Sequence, residues 1–292
     1  LQMARYLRPE FHLVSINLAE VLSESKDFAG ADAVLSNVLK TSQYYLRARL
    51  QMADHLSQQK KFDEAITAYN ALAADFPQSA EPLIAKGDVM RSQKRFLEAS
   101  IVYSDALKRL GTDTKAAWLI YYARGACYER LDRWRDAKED LQQALALHPL
   151  SPDVLNYYGY SLLVRGEKID EAKTMLEKAI ALRPNDPQII DSMGWALYLL
   201  GQYEEALPYI ERAVELLPSD ATVNDHLGEV YYRLGRKNEA QFQWERALTF
   251  NPDADEIRAI EQKLAKGMKD PERPSSKAAK AGSTPAAEAL HP

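Results

Sequence analysis

Asn156-Tyr157-Tyr158-Gly159, then Asp170-Glu171-Ala172, Glu177-Lys178-Ala179 and Arg183-Pro184 make up a unit that recurs three times between residues 153 and 252. Gly159, Gly194 and Gly228 are spaced by 35 and 34 residues, while Ala172, Ala206, Ala240 and Pro184, Pro218, Pro252 repeat every 34. A fixed period of this length, with small residues at set offsets, marks a helical solenoid. Gly in a helix interior costs about 1 kcal/mol relative to Ala. Its return at one mid-helix position therefore implies a neighbouring helix too close to admit a β-carbon. Ala172, Ala206 and Ala240 open a second helix, and Ala179, Ala213 and Ala247 follow on the same face, where small side chains let two antiparallel helices approach. Leu176, Ile210 and Trp244 stand between those alanines and fill the space at the crossing. Each proline ends the second helix, since it cannot continue the hydrogen-bond ladder.

The same ruler runs backwards through Gly125, Gly87, Ala53 and Ala19, each followed twelve residues later by Ala137, Ala99, Ala65 or Ala31. Seven units follow, at about 10–43, 44–77, 78–115, 116–149, 150–184, 185–218 and 219–252. The units before residue 110 keep the pattern less strictly, with Ala19 and Ala53 in place of Gly. Between Gly87 and Gly125 the step grows to 38, and Gly111-Thr112-Asp113-Thr114 is expected to supply a loop and a helix cap there. Residues 1–9 read as the second helix of an earlier unit, so the array is expected to begin before Leu1. Residues 253–268 read as a capping helix started by Asp253, with Ile257, Ile260 and Leu264 as its apolar stripe. Residues 269–292, rich in Pro, Ser, Ala and Lys, are expected to be disordered.

This pattern resembles the tetratricopeptide repeat (TPR) superfamily over most of the chain. The resemblance implies an all-α fold, a right-handed α-α superhelix of about seven helix-turn-helix repeats closed by a C-terminal helix. It also implies a non-catalytic scaffold or adaptor that holds a partner protein or peptide in a concave groove lined by the first helix of each pair. Groove positions fall three before, one after and four after the ruler residue. The candidate partner-binding residues are Tyr122, Asn156, Tyr160, Leu163, Asp191, Trp195, Tyr198, Asp225 and Tyr232. Aromatics with a few polar anchors in a concavity compose a protein hot spot. The other reading of Trp195 and Tyr160 is packing between adjacent first helices, where TPR proteins often carry aromatics.

The co-chaperone type of TPR grips a C-terminal carboxylate with Lys or Arg three before the ruler residue and Asn just after it. Here those positions hold Ile16, Leu50, Ile84, Tyr122, Asn156, Asp191, Asp225 and Glu20, Asp54, Asp88, Ala126, Tyr160, Trp195, Glu229. No clamp cation is present, and acidic groups repel a carboxylate. The expected partner instead carries basic and apolar side chains. The runs Leu155–Ser161, Asp191–Tyr198 and Asn224–Gly228 further resemble the C-terminal repeats of bacterial TPR envelope lipoproteins. Those lipoproteins act as adaptors for carboxyl-terminal processing proteases, which implies a periplasmic or envelope setting.

Other function classes fit poorly. A net charge of −5 and an acidic composition lack the basic face of nucleic-acid binders. No apolar run reaches the roughly 18 residues of a membrane span. The five histidines are scattered, without the converging set a metal needs, so neither metal nor cofactor is expected. Cys127 falls inside a packed helix and reads as a small buried hydrophobe. Phosphate loops and nucleophile elbows are absent from the sequence. Two alternatives remain on sequence alone: the substrate-recognition array of a larger enzyme with its catalytic domain upstream, and a self-associating array.

Overall fold

The computed structural model describes residues 12–111 and 115–268. The expected upstream helix at 1–9 and disordered tail at 269–292 lie outside those residues, as do Thr112, Asp113 and Thr114. The described residues form fifteen α-helices and no strand. They fall into two compact units, which divide after Leu147.

The first unit holds four hairpins: α1 (His12–Glu24) with α2 (Phe28–Leu35), α3 (Tyr45–Gln58) with α4 (Phe62–Asp75), α5 (Glu81–Ser92) with α6 (Phe96–Leu110), and α7 (Ala117–Arg130) with α8 (Trp134–Leu147). The second holds three, α9 (Pro152–Val164) with α10 (Ile169–Leu182), α11 (Pro187–Leu199) with α12 (Tyr203–Leu216) and α13 (Ala221–Arg233) with α14 (Lys237–Leu248), followed by α15 (Ala254–Lys266). Within each unit the main packing is inside a hairpin and onto the next one along the chain. That is the quasi-one-dimensional arrangement of a solenoid.

The ruler residues explain the hairpins. A β-carbon on Gly159 would lie 2.9 Å from the Ala172 carbonyl oxygen, and one on Gly194 would lie 2.5 Å from Ile210 Cδ1. On Gly228 it would meet the Trp244 indole, and on Gly87 the Tyr103 ring at 2.6 Å. Gly87, Gly194 and Gly228 thus face one large side chain of their own second helix, while Gly125 and Gly159 also approach its backbone. Leu35, Tyr69, Tyr103, Leu141, Leu176, Ile210 and Trp244 fill this place in turn, and all are buried. The second-helix alanines beside them, Ala172, Ala206 and Ala240, are fully buried.

Turn chemistry divides the two units. Seven residues after each ruler position the chain takes a left-handed conformation, at Lys26, Lys60, Lys94, Asp132, Gly166, Gly201 and Gly235. Gly adopts this conformation freely, whereas a β-carbon costs about 1–2 kcal/mol. Lys94 sits at φ 60° with its side chain exposed and its amide donating to the Arg91 carbonyl. Lys94→Gly keeps that hydrogen bond and removes the strain. It is expected to stabilise the protein by about 1 kcal/mol; an unchanged urea midpoint would show that the turn carries no strain.

In the long step between the third and fourth hairpins, the cap expected at Thr112-Asp113-Thr114 lies outside the described residues. Gly111, at φ 89°, ends α6, so it supplies a C-terminal cap. At the start of α7 the cap position is Ala116, which makes no side-chain capping bond. Asp253 does cap α15, and it shares a reciprocal capping box with Glu256.

Candidate partner-binding face

The first helices of the second unit are set by strong starts. Ser151, Asp186 and Asp220 cap α9, α11 and α13 by accepting backbone amides of the first turn, and Pro152 and Pro187 occupy first helical positions. These caps fix which side chains of α9, α11, α13 and α15 share a face.

On α11, Trp195 is the centre of a stack. Its ring lies 3.8 Å from the His226 ring of α13 and 4.5 Å from the Tyr198 ring, each tilted by only 12°. Trp195 retains 7% exposure. Around the stack run polar links between neighbouring first helices. His226 Nδ1 lies 2.9 and 3.0 Å from the two carboxylate oxygens of Asp191. Tyr198 donates its hydroxyl to Glu229 at 2.6 Å and accepts from Arg233 Nε at 3.4 Å. Lys263 of α15 donates to Asp225 at 2.6 and 2.7 Å and pairs with Glu229 at 2.6 Å.

Burial shapes the protonation of this cluster. Burial alone would lower the His226 pKa; the Asp191 carboxylate beside it outweighs that and raises it above the usual value, with help from Asp225 and Glu229. Lys263 is likewise penalised by burial but held charged by Glu229 and Asp225, which raise its pKa. Burial pushes the Tyr198 phenol well up, and Glu229 adds to it. Burial also raises Asp225, against the pull of Lys263.

Of the sequence-identified residues, the structure brings Asp191, Trp195, Tyr198 and Asp225 into this cluster. Asn156, Tyr160 and Leu163 are buried on α9, which packs against α11. The Asn156 Oδ1 is buried and accepts no hydrogen bond among the described residues. Tyr232 is partly buried, tilted against Trp244 at 5.6 Å between centroids. Tyr122 is buried on α7 in the first unit. His226, Glu229, Arg233 and Lys263 were not among the candidates. The ruler would have found Lys263, because it stands 34 residues after Glu229, at the corresponding position of an eighth first helix.

The first unit contains a second polar chain. Ser23 Oγ of α1 lies 2.6 Å from His55 Nε2 of α3, and His55 Nδ1 lies 2.6 Å from Asp32 of α2. The order of groups matches a hydrolytic triad, but the setting does not. The Ser23 hydroxyl also donates to the Ala19 carbonyl at 2.7 Å. The amides that follow, on Ser25, Lys26 and Asp27, are bonded to Val21, Ser23 and Leu22 carbonyls, so none points at a developing oxyanion. The trio ties three helices together. Cys127 is fully buried, and burial pushes its thiol up to about 12, the profile of an unreactive core cysteine.

No group of three His, Cys, Asp or Glu converges as a metal site among the described residues. None of their helices is long and apolar enough to cross a membrane.

Helical hairpins repeating every 34 or 35 residues, apart from one step of 38, with small residues at every crossing, define a helix-turn-helix repeat array. The tetratricopeptide repeat family profile matches residues 22–88, 122–187 and 192–255, together more than half of the chain. The chain belongs to the tetratricopeptide repeat family, whose arrays mediate protein–protein interaction and serve generally as non-catalytic scaffolds. No curated protein matches it. Among solved structures, a tetratricopeptide repeat protein from Parabacteroides merdae is similar, with TM-score 0.68 and 16% identity over 87% of this chain and 99% of its own. The APC/C hetero-tetramer Cut9-Hcn1 gives TM-score 0.70 and 19% identity, covering 91% of this chain and 51% of that one. Pseudomonas aeruginosa pilF gives 0.54 and 18%, over 64% and 83%. At these identities the likeness is one of fold.

Proposed function

We propose that this chain recruits a partner protein or peptide along the first-helix face of its second unit, and that it does so as an adaptor without chemistry of its own. The observation that carries this reading is the Trp195–Tyr198–His226 stack, ringed by charged groups, on the helices that line the groove in this fold class. Asn156, Tyr160 and Leu163 on α9 and Tyr232 on α13 are further candidates on the first helices of this unit, and Tyr122 is a candidate on α7 of the first unit. Three carboxylates, Asp191, Asp225 and Glu229, face two permanent cations, Lys263 and Arg233. A partner segment offering apolar side chains to the stack and Lys or Arg to its acidic rim suits this balance. A carboxylate tail does not.

Trp195→Ala is expected to weaken partner binding by about 2 kcal/mol, some thirtyfold in Kd. The check is titration calorimetry alongside thermal melting. A lower melting temperature with unchanged affinity would place Trp195 in the core alone.

The narrower form of the reading is an envelope adaptor for a carboxyl-terminal processing protease. It is supported by the runs Leu155–Ser161, Asp191–Tyr198 and Asn224–Gly228. Added to such a protease with a cell-wall hydrolase as substrate, the protein is expected to accelerate degradation. Equal rates with and without it would reject the adaptor role.

A further inference from the structure

We infer that His226 is a proton-operated latch on Trp195, so that the aromatic face is firmly held when the imidazole is charged and loosened when it is neutral. His226 is 5% exposed, lies flat on Trp195 at 3.8 Å and joins α13 to α11 through Asp191. The ionisable groups around it come from three helices: Asp191 and Tyr198 on α11, Asp225, Glu229 and Arg233 on α13, and Lys263 on α15. Tyr198 is neutral, so three carboxylates stand against two fixed cations. A protonated His226 offsets the negative charge of Asp191, Asp225 and Glu229 around it, and a neutral one does not. Charged imidazole on an indole face also adds a cation–π attraction, which desolvation strengthens. Neutral His226 keeps a hydrogen bond to Asp191 but loses the ion pair and that attraction.

The direction of the pH effect follows from linkage. The folded-state pKa of His226 lies above its unfolded value. The stabilisation is therefore fully present below the unfolded pKa and is lost as pH rises through the folded one.

The test is intrinsic fluorescence of the full chain, since a charged imidazole in van der Waals contact quenches indole. Trp195 is one of four tryptophans. Emission is expected to rise as pH increases through a midpoint above the usual histidine range, and His226→Gln is expected to abolish that transition. Asp191→Asn keeps the ring and removes its nearest counter-charge, so the transition should move to lower pH. Asp191→Asn also decides the matter if His226→Gln fails to fold by circular dichroism. A transition that persists unaltered in His226→Gln, or a midpoint unmoved in Asp191→Asn, overturns the latch. The consequence for partner affinity rests on the proposed groove function, but the fluorescence does not. A titrating Trp195 in a protein that binds nothing along this face would defeat the function and leave the latch standing.

Discussion

Trp244→Ala is expected to destabilise the second unit by about 3–4 kcal/mol, and a second substitution at Gly228 is expected to recover part of that loss. Trp244 is 2% exposed and fills the crossing of α13 and α14. Removing such a ring loses its transfer free energy and leaves a cavity, together about 3–5 kcal/mol. The indole Nε1 is buried and donates no hydrogen bond among the described residues. Deleting an unsatisfied donor returns about 1 kcal/mol, which sets the estimate near the low end of that range.

Gly228 makes the argument sharper. In the wild type a β-carbon there would collide with the Trp244 indole. Gly228→Ala alone is thus expected to cost about 1 kcal/mol, as about 2 of overpacking exceeds about 1 of helix propensity gained. In the Trp244→Ala background the collision disappears and only the propensity gain remains. The two effects are then non-additive by about 2 kcal/mol. Urea unfolding of the four proteins in that double-mutant cycle supplies the measurement. Additive values would mean that Gly228 is small for a reason other than Trp244.

The crossing was legible in the sequence because its constraint is steric and periodic. Small residues at Gly159, Gly194 and Gly228 and their large partners Leu176, Ile210 and Trp244 recur on one ruler, and each pair is local to a hairpin. Polar pairing was less legible, because it depends on which side chain reaches across. Asp54 and Asp88 fall at groove positions, yet each accepts a hydrogen bond from a tyrosine of its own second helix, Tyr69 at 2.5 Å and Tyr103 at 2.6 Å. Carboxylates that suggest an acidic groove in the first unit therefore also serve its core. The same applies to His226. Its sequence neighbour Asp225 turns to Lys263, while His226 itself turns to Asp191 on the previous first helix. Adjacent residues on a helix point in different directions, so sequence proximity was a poor guide to the pair.

Trp195 shows why groove and core were hard to separate. Neighbouring first helices touch one another, and the Trp195 ring of α11 packs against His226 of α13. Its place in the sequence pattern therefore did not tell a packing role from a binding one. Its stack on His226 and Tyr198 leaves it 7% exposure, so the part of this cluster that water reaches is mainly the charged rim.

Lys263 is the residue through which the final helix acts on that rim, and Lys263→Ala is expected to loosen α15. Among the side chains of α15, Ile260 is deeply buried, while Ile257 and Leu264 are only partly so. Its other ties to α13 are the Thr222–Glu256 hydrogen bond at 2.9 Å and the Lys263 links to Asp225 and Glu229. The three charged side chains are between 13% and 20% exposed. Removing the cation leaves two carboxylates four residues apart on one helix, with only His226 and Arg233 left near them as counter-charges. Breaking a buried pair in this way costs about 3–5 kcal/mol, and the residual exposure reduces that to about 2–3. Asp225 then relieves the repulsion by taking up a proton, since burial already raises its pKa. The loss is expected to be local: amide exchange across Ala254–Lys266 accelerates by about two orders of magnitude, as about 2.7 kcal/mol corresponds to a hundredfold. Exchange in α9 and α10 is expected to stay as it was, because solenoid units feel mainly their neighbours. Lys263→Met, which keeps the stem and drops the charge, separates packing from pairing. If it protects α15 as well as lysine does, the ion pairs contribute nothing and the helix is held by Ile260 and its neighbours.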